Sequence, residues 1–431
     1  MFVAIPKAIP ILVSSQKGDG VTTDLSPSRS EALDDSRAWD VVVLGGAGHV
    51  GLPLSIALAS RGASVLIYDH NSAAVAMVNG GRMPFREDGA DSALADALES
   101  GRLYATSDPA AAGVADTLIV VVGTPVDEHL NPDPSAIPAA LSQISQYLHS
   151  GQLLILRSTV YPGVTRQVER TLAERGLDVD IAFCPERIAE GRAMTELFSL
   201  PQLVGARSER ATKRAGDVFR LLTERIIDVD PEEAELAKLF TNNWRYLKFA
   251  AANQFYMIAN DHGLDYERIR SALAEDYPRA RDLPGAGFAA GPCLLKDTMQ
   301  LGAFSDNNYF LGHSAMLVNE GLPLYVVRQL EANYKLADMT VGILGMAFKA
   351  QTDDIRASLS YKLKHILAFR ARRVLCTDPF VTTDPELVSL EQTVDESDLL
   401  IIGAPHDQYR RLQPAKPVAD VWGLLGRGVR V

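Results

Sequence analysis

The stretch Asp40-Val41-Val42-Val43-Leu44-Gly45-Gly46-Ala47-Gly48-His49-Val50-Gly51 decides the fold of this chain. A short β-branched run favours a strand, and the glycine cluster that follows opens a helical stretch reaching Ser60. A second strand, Ser64 to Tyr68, ends at Asp69. Strand, glycine turn, helix, second strand and terminal acid in this register predict a dinucleotide site. Gly46, Gly48 and Gly51 let backbone approach a pyrophosphate, with His49 and Val50 beside it at the helix N-terminus. Asp69 would bind a ribose hydroxyl and repel a 2'-phosphate, which favours NAD.

Outward from this core, strands alternate with helices. Thr117 to Val122 runs into Gly123-Thr124-Pro125, and Leu153 to Leu156 runs into Arg157-Ser158-Thr159. Such alternation predicts a parallel, doubly wound sheet, whose ligands sit beyond the carboxyl ends of the strands. Thr124, Pro125, Ser158 and Thr159 fall there. Their hydroxyls have two open roles, capping a helix or facing a ligand. The strand Ile181 to Cys184 leads into Pro185-Glu186-Arg187-Ile188-Ala189-Glu190-Gly191. A helical turn there would put Glu186 and Glu190 on one face, either as a solvated surface or as site acids.

Pro231 to His262 reads as one long helix, with proline at its start and Gly263 past its end. Leu236, Phe240, Trp244, Leu247, Ala251, Phe255 and Ile258 form an apolar stripe, and further apolar residues cover much of the remaining circumference. A helix apolar on most sides is buried on most sides, so it should join domains and bury a face against a second subunit. Lys238 and Asn242 project opposite that stripe, either as a snorkelling pair or as oxyanion donors. After helices running to about Glu331, the pattern resets: strand Thr340 to Leu344, a turn at Gly345, helix Ser358 to Phe369, strands Val374 to Thr377 and Leu399 to Ile402. This is a second, smaller α/β domain that loosely echoes the first. Its loop Lys349-Ala350-Gln351-Thr352-Asp353-Asp354-Ile355-Arg356 offers local positive charge suited to a diphosphate, or a solvated surface.

One segment carries reactive chemistry. Gly291-Pro292-Cys293-Leu294-Leu295-Lys296-Asp297 brings a thiol, an ammonium and a carboxylate together. A lone cysteine is more often an inert buried residue. Here Lys296 could lower the thiol pKa and Asp297 could hold a water, so a covalent intermediate could be made and hydrolysed.

The 431 residues carry a formal net charge of -12 and a pI near 5.2. Nucleic acid and acidic membrane surfaces need a basic footprint, so both are excluded as general partners. Three widely spaced cysteines, Cys184, Cys293 and Cys376, make neither a disulfide framework nor a metal site and fit a reducing cytoplasm. Cys184 and Cys376 lie inside strands and are expected in the core. No run of eighteen or more apolar residues is present. Phe2 to Val13 is apolar but broken by Pro6 and Pro10; it reads as part of a flexible tail, with a signal peptide as the alternative.

These motifs, in this order, resemble the nucleotide-sugar 6-dehydrogenases, the family of UDP-glucose and UDP-N-acetylmannosamine dehydrogenases. The resemblance runs from about Val41 to the C-terminus. It rests on Gly46 to Pro53, Gly123-Thr124-Pro125, Ser158 to Gly163, Cys184 to Arg187, Lys238 with Asn242, Cys293 to Asp297, and Gly345 to Arg356. It implies Cys293 as nucleophile, with Lys238, Asn242, Asp297, Thr159 and Glu190 around the reacting carbon. It implies NAD as cofactor, held with the help of Thr159, Glu190 and Lys296 besides the glycine motif. It also implies a UDP-sugar substrate, with Glu186, Arg187, Lys238, Asn242, Lys349 and Arg356 as binding residues and Arg356 coming from the partner subunit of a homodimer. The implied reaction is oxidation of a sugar C6 alcohol to the uronate by two hydride transfers through a thiohemiacetal and a thioester. The Arg187 and Tyr161 context is closer to the N-acetylhexosamine branch, such as UDP-ManNAc, than to the glucose branch. Leu294-Leu295 and Ala289-Ala290 depart from the family pattern near the sugar.

The expected architecture is therefore α/β, with two Rossmann-like doubly wound domains joined by a long central helix and a helical middle domain. The divisions are a tail over 1–38, an NAD-binding domain over 39–230, a central dimerisation domain with the catalytic cysteine over 231–335, and a UDP-sugar-binding domain over 336–431. The alternatives are a UDP-glucose 6-dehydrogenase, a two-electron hydroxyacid dehydrogenase of the 6-phosphogluconate kind, and a silent nucleotide-binding subunit.

Overall fold

A computed structural model describes residues 38–124, 126–127 and 133–426. The tail expected over 1–38, apart from its last residue, and Pro125 lie outside the described residues. Eight strands form the larger sheet: β1 Val41–Leu44, β2 Val65–Tyr68, β3 Leu103–Thr106, β4 Thr117–Val120, β5 Leu153–Leu156, β6 Asp180–Phe183, β7 Gln202–Ala206 and β8 Ile226–Val229. Their order is β3-β2-β1-β4-β5-β6-β7-β8, with the order reversing between β1 and β4. The opening strand shows why this forms. Val41 and Val43 enter a core with Val65, Ile67, Leu52 and Leu54, whereas Val42 and Leu44 enter another with Leu66, Leu118 and Val120. Both faces are covered, which is why the strand is continuously apolar rather than alternating.

The wholly parallel sheet expected from the alternation needs one correction. β7 pairs antiparallel to β6, and β8 then runs parallel to β7. Residues 184–192 stay at the carboxyl end of β6, where Lys349 and Thr352 hold Glu190, so the chain enters β7 from that end. β3, β7 and β8 were not apparent in the sequence; β8 is a poorly buried edge strand, and β3 is a half-buried one.

The smaller sheet contains β9 Thr340–Leu344, β10 Arg373–Thr377, β11 Leu399–Ile402 and β12 Val418–Ala419, all parallel, in the order β10-β9-β11-β12. Its core is continuous with the helical middle of the chain. Val341 and Ile343 pack in one cluster with Leu322, Val326 and Val327 of the helix Phe310–Asn333 and with Ala252 and Tyr256 of the long helix. The two α/β sheets also repeat one device. Asp69 after β2 accepts from Ala47 N (3.1 Å) in the first glycine turn, and Asp378 after β10 accepts from Met346 N (2.7 Å) and Ala347 N (2.9 Å) in the second.

The long helix spans Pro231–Asp261, with His262 closing it. Asp230 precedes Pro231, and its N–H donates to Glu233 Oε2 (2.9 Å), which satisfies an amide the first turn leaves free. The polar side of the helix, not its apolar stripe, faces the interior of the single chain. The stripe residues Phe240, Trp244, Phe255 and Ile258 are 48–59% exposed in the single chain, while Lys238, Asn242, Asn243 and Asn253 are buried. Polar residues can face inward because each amide finds a partner: Asn242 on Asp297, Asn243 on the Asp297 carbonyl, Asn253 on Gly287 and Asn319. Among the described residues no helix is long and apolar enough to cross a membrane.

Candidate active site

The first part of the site is the glycine turn at the switch point of the large sheet. A Cβ on Gly51 would lie 2.6 Å from the Gly46 Cα, so only glycine lets this helix start directly on the strand end. A Cβ on Gly48 would meet nothing nearer than 3.7 Å, which leaves the outer side of the turn open. Val50 provides no side-chain cap for the first helical turn. An open glycine turn, uncapped helix N–H groups and the Asp69 carboxylate fit a dinucleotide. Asp69 also accepts from Asn71 N (3.0 Å), so it organises the turn. His49 stacks on Phe85 with ring centroids 4.0 Å apart.

Thr124, Ser158 and Thr159 come together at the carboxyl ends of β4 and β5. The Ser158 hydroxyl accepts from Val122 N (2.8 Å), and the Thr124 hydroxyl donates to the Thr159 carbonyl (2.6 Å). The first hydroxyl is therefore a tie between strands rather than a helix cap. Lys296 Nζ, arriving from the cysteine segment, lies 3.5 Å from Thr124 Oγ1 and joins the two regions.

The cysteine segment is placed by its neighbours. Gly291 has φ +102°, and a Cβ there would come within 2.6 Å of the Phe348 ring. Asn253 holds the preceding loop, donating to Gly287 O (3.0 Å) and accepting from Gly287 N (2.9 Å). Cys293 then stands just before the helix Leu294–Phe304 and gives it no side-chain cap. Leu294, expected near the sugar, packs with Tyr246, Ala250 and Ala315 instead. Ala289 belongs to the same cluster.

Asp297 has no exposed surface and is the hub of the cluster. Its Oδ2 accepts from Asn242 Nδ2 (2.5 Å), and its Oδ1 lies 2.9 Å from Lys296 Nζ with no hydrogen-bond partner among the described residues. The ammonium of Lys238 is buried close to Asp297, Cys293 and Glu186; burial pushes its pKa down while these three groups oppose the shift. The Cys293 residue is open to solvent, but its thiol is crowded on the inner side. Burial there, then Asp297, pushes the thiol pKa up against the pull of Lys238 and Lys296. Lys296 thus acts in the expected direction, but burial and Asp297 outweigh it. Cys184 and Cys376 are buried, each with a thiol pushed up to about 12 by burial.

The small domain closes the cluster from the other side. Thr352 Oγ1 donates to Glu190 Oε1 (3.1 Å), and Lys349 Nζ donates to the Glu190 carbonyl. Arg356 lies 3.9 Å from Glu190 Oε2 and pairs with Asp354 (2.6 Å), while His49 lies 4.0 Å from Glu190 Oε1. Within the single chain Arg356 thus faces Glu190 and Asp354. Burial, followed by Asp354, raises the Glu190 carboxyl to about 7. Burial pushes Lys349 down. His49, Glu190 and Asp354 present ligand atoms within 4.8 Å of one another, but Lys349 and Arg356 supply the counter-charge there.

Glu186 and Arg187 do not face Glu190, although Glu186 lies close to Lys238. Residues 184–190 form no helical turn, so Glu186 and Glu190 share no face. The Glu186 carboxylate pairs with buried Arg157 and accepts from Arg187 N (2.7 Å) and Ile188 N (2.9 Å). Arg187 donates to the Pro201 carbonyl. Residues the sequence reading passed over are Asn243, Thr352, Asp354 and Glu87. Asn243 sits beside Asn242 and the next two lie within the Lys349–Arg356 loop, so position was the available signal; for Glu87 there was none.

The chain matches the NAD binding domain of the UDP-glucose/GDP-mannose dehydrogenase family over residues 40–223, its central domain over 232–320 and its UDP binding domain over 342–427. It is 30% identical to UDP-N-acetyl-D-mannosamine dehydrogenase of Pyrococcus horikoshii, covering 89% of this chain and 92% of that protein. It is 30% identical to NDP-N-acetyl-D-galactosaminuronic acid dehydrogenase of Ralstonia nicotianae, covering 91% and 97%. A solved UDP-glucose dehydrogenase from Pyrobaculum islandicum superposes with a TM-score of 0.84 at 30% identity, covering 92% of this chain and 96% of that one. With matches to all three domains of one family in their order, the chain belongs to the UDP-glucose/GDP-mannose dehydrogenases.

Proposed function

We propose that this protein oxidises the C6 hydroxyl of a UDP-N-acetylhexosamine, UDP-N-acetylmannosamine in particular, to the uronate. The observation that carries the chemistry is the convergence of Cys293, Lys238, Asn242 and Asp297 with Lys296 between the two α/β sheets. Bound NAD would accept one hydride in each of two oxidations, and Gly46, Gly48, Gly51, Asp69, Thr124 and Thr159 are the described residues that would hold it.

The chain's own groups divide the remaining work. Lys238, held in a buried site that disfavours its charge, takes the alcohol proton in the first oxidation. The neutral Cys293 thiol adds to the aldehyde, and its proton passes to the former carbonyl oxygen, giving a thiohemiacetal. Lys238 and Asn242 face the oxyanion, each donor worth on the order of 3 kcal/mol. In the second oxidation Lys238, having passed its first proton to solvent, takes the proton of the thiohemiacetal hydroxyl as the hydride leaves, and a thioester remains on Cys293. Glu190, near pKa 7 and in electrostatic contact with Cys293, takes a proton from the water that cleaves it, releasing the thiol and the uronate. Lys349 and Arg356 supply charge for the diphosphate.

The N-acetylhexosamine preference rests on the names of the relatives. A UDP-glucose substrate is the second reading, favoured by the likeness to the Pyrobaculum enzyme. A cytoplasmic homodimer completes the proposal: Phe240, Trp244, Phe255 and Ile258 lie exposed along the long helix, with Phe310, Leu311 and Leu317 exposed on the helix packed against it.

The test is a panel of UDP-GlcNAc, UDP-ManNAc, UDP-glucose and GDP-mannose with NADH counted per sugar. Two NADH per UDP-ManNAc are expected. One per sugar would indicate a two-electron dehydrogenase, and no turnover at all a silent subunit. Cys293→Ser should stop at the aldehyde level, and uronate formed by that variant at the normal rate would sink the covalent route.

A further inference from the structure

Three consecutive side chains outside every motif above each reach a different wall of the site. Phe85 stacks on His49 of the glycine turn at 4.0 Å. Arg86 donates its backbone N–H to Asp353 (3.2 Å), and its guanidinium lies 4.1 Å over the Phe380 ring, so it grips the small domain. Glu87, 2% exposed, accepts from Gly191 N (2.8 Å) and Ala193 N (2.7 Å), one through each carboxylate oxygen. Those two amides flank Glu190 on its C-terminal side, and the first belongs to a glycine at φ +76°. The segment has no regular structure of its own, so these contacts define its position.

We infer that Glu87 is a positioning residue for Glu190, and that Phe85-Arg86-Glu87 is a clasp setting the glycine turn, the Glu190 loop and the small domain in mutual register. A carboxylate is required because both partners are donors. An amide in its place would set an N–H group against one of them, leaving a buried donor unsatisfied. Glu87 acts through the amides of Gly191 and Ala193, fixing where the Glu190 carboxylate points. The inference rests on the role proposed above for Glu190.

Its test uses the full chain and Glu87→Gln, with Glu87→Asp as a second variant that keeps the charge but is one methylene shorter. The groups facing Glu190 are His49 from the glycine turn, Lys349, Asp354 and Arg356 from the small domain, and Cys293 from the cysteine helix. Loosening the loop should expose Glu190 to water, moving the kcat limb near pH 7 toward the ordinary carboxylate range. It should lower kcat by roughly tenfold to a hundredfold with KM for the sugar little changed. Amide hydrogen exchange over residues 188–193 should quicken in both variants while that of residues 294–304 does not. An unmoved pH limb with only a lower melting midpoint would make Glu87 a structural support and overturn the inference, as would unchanged exchange over 188–193. Should the unmodified protein turn over none of the sugars, the oxidation proposal fails, and the exchange measurement still decides the clasp.

Discussion

Glu190 stands where the glycine turn, the cysteine segment and the small domain meet, and its protonation is the property most open to measurement. An ordinary glutamate titrates near ~4.3. Burial and Asp354 raise this one to about 7, so it is protonated in acid and able to accept a proton only above that value. Activity that needs Glu190 as a base should therefore rise with pH through about 7 and level off above it. Glu190→Gln should remove this limb from the kcat profile while the fold survives; an unaltered limb would take the base role away from Glu190. The same shift bears on stability. Between ~4.3 and 7 the folded chain holds a proton that the unfolded chain has lost, so this group's contribution falls as pH rises through that window. At Cys293 the balance of burial and Asp297 against two lysines leaves the thiol neutral at rest, so the proposed covalent route needs a proton to move in each of its steps.

At the scale of elements, the cysteine helix is held by its lead-in more than by its own sequence. Gly291 combines a left-handed backbone with close approach to Phe348, and the Asn253 amide pins the loop at Gly287. Gly291→Ala would both strain the backbone and drive a methyl into the ring. The expected cost is about 1–3 kcal/mol of stability, read as a lower urea midpoint. Because Cys293 is two residues on, kcat should fall by more than the stability loss explains at temperatures where the variant is folded. The long helix is anchored at its start by Glu235, whose carboxylate accepts from Gly163 N (2.7 Å), Thr165 N (2.9 Å) and Thr165 Oγ1 (2.6 Å). Lys238 and Asn242 project from the next turns, so this anchor also registers them against the large sheet.

At the scale of the molecule, the exposed faces of two packed helices leave a broad apolar surface that a soluble monomer rarely carries. Replacing both Trp244 and Phe255 with Asp should convert a dimer of twice 46.7 kDa into a 46.7 kDa species in sedimentation analysis. A wild-type chain that sediments as a monomer at micromolar concentration would remove the dimer from the proposal. Since Arg356 already faces Glu190 and Asp354 within one chain, the monomeric variant should retain its local charge arrangement at the site.

Local pattern was enough for much of this. The β-branched run into Gly46-Ala47-Gly48, the acid after β2, the proline-started helix to Asp261 and the thiol beside Lys296 and Asp297 are all short-range signals, because strands, turns and helix ends are set by neighbouring residues. The order of the motifs carried the family. What only the tertiary structure decided depends on contacts across long separations. The antiparallel β7 follows from where the Glu190 loop is held, and Glu186 is claimed by Arg157, 29 residues away. The long helix shows the limit most clearly. Periodicity located an apolar stripe, but which face enters the chain's own interior was decided by Asp297 and Asn319, which supply partners for buried amides on the polar side. Hydrophobic pattern tells which side of a helix can be dry. Whether the polar side can be buried depends on partners that the chain brings from elsewhere.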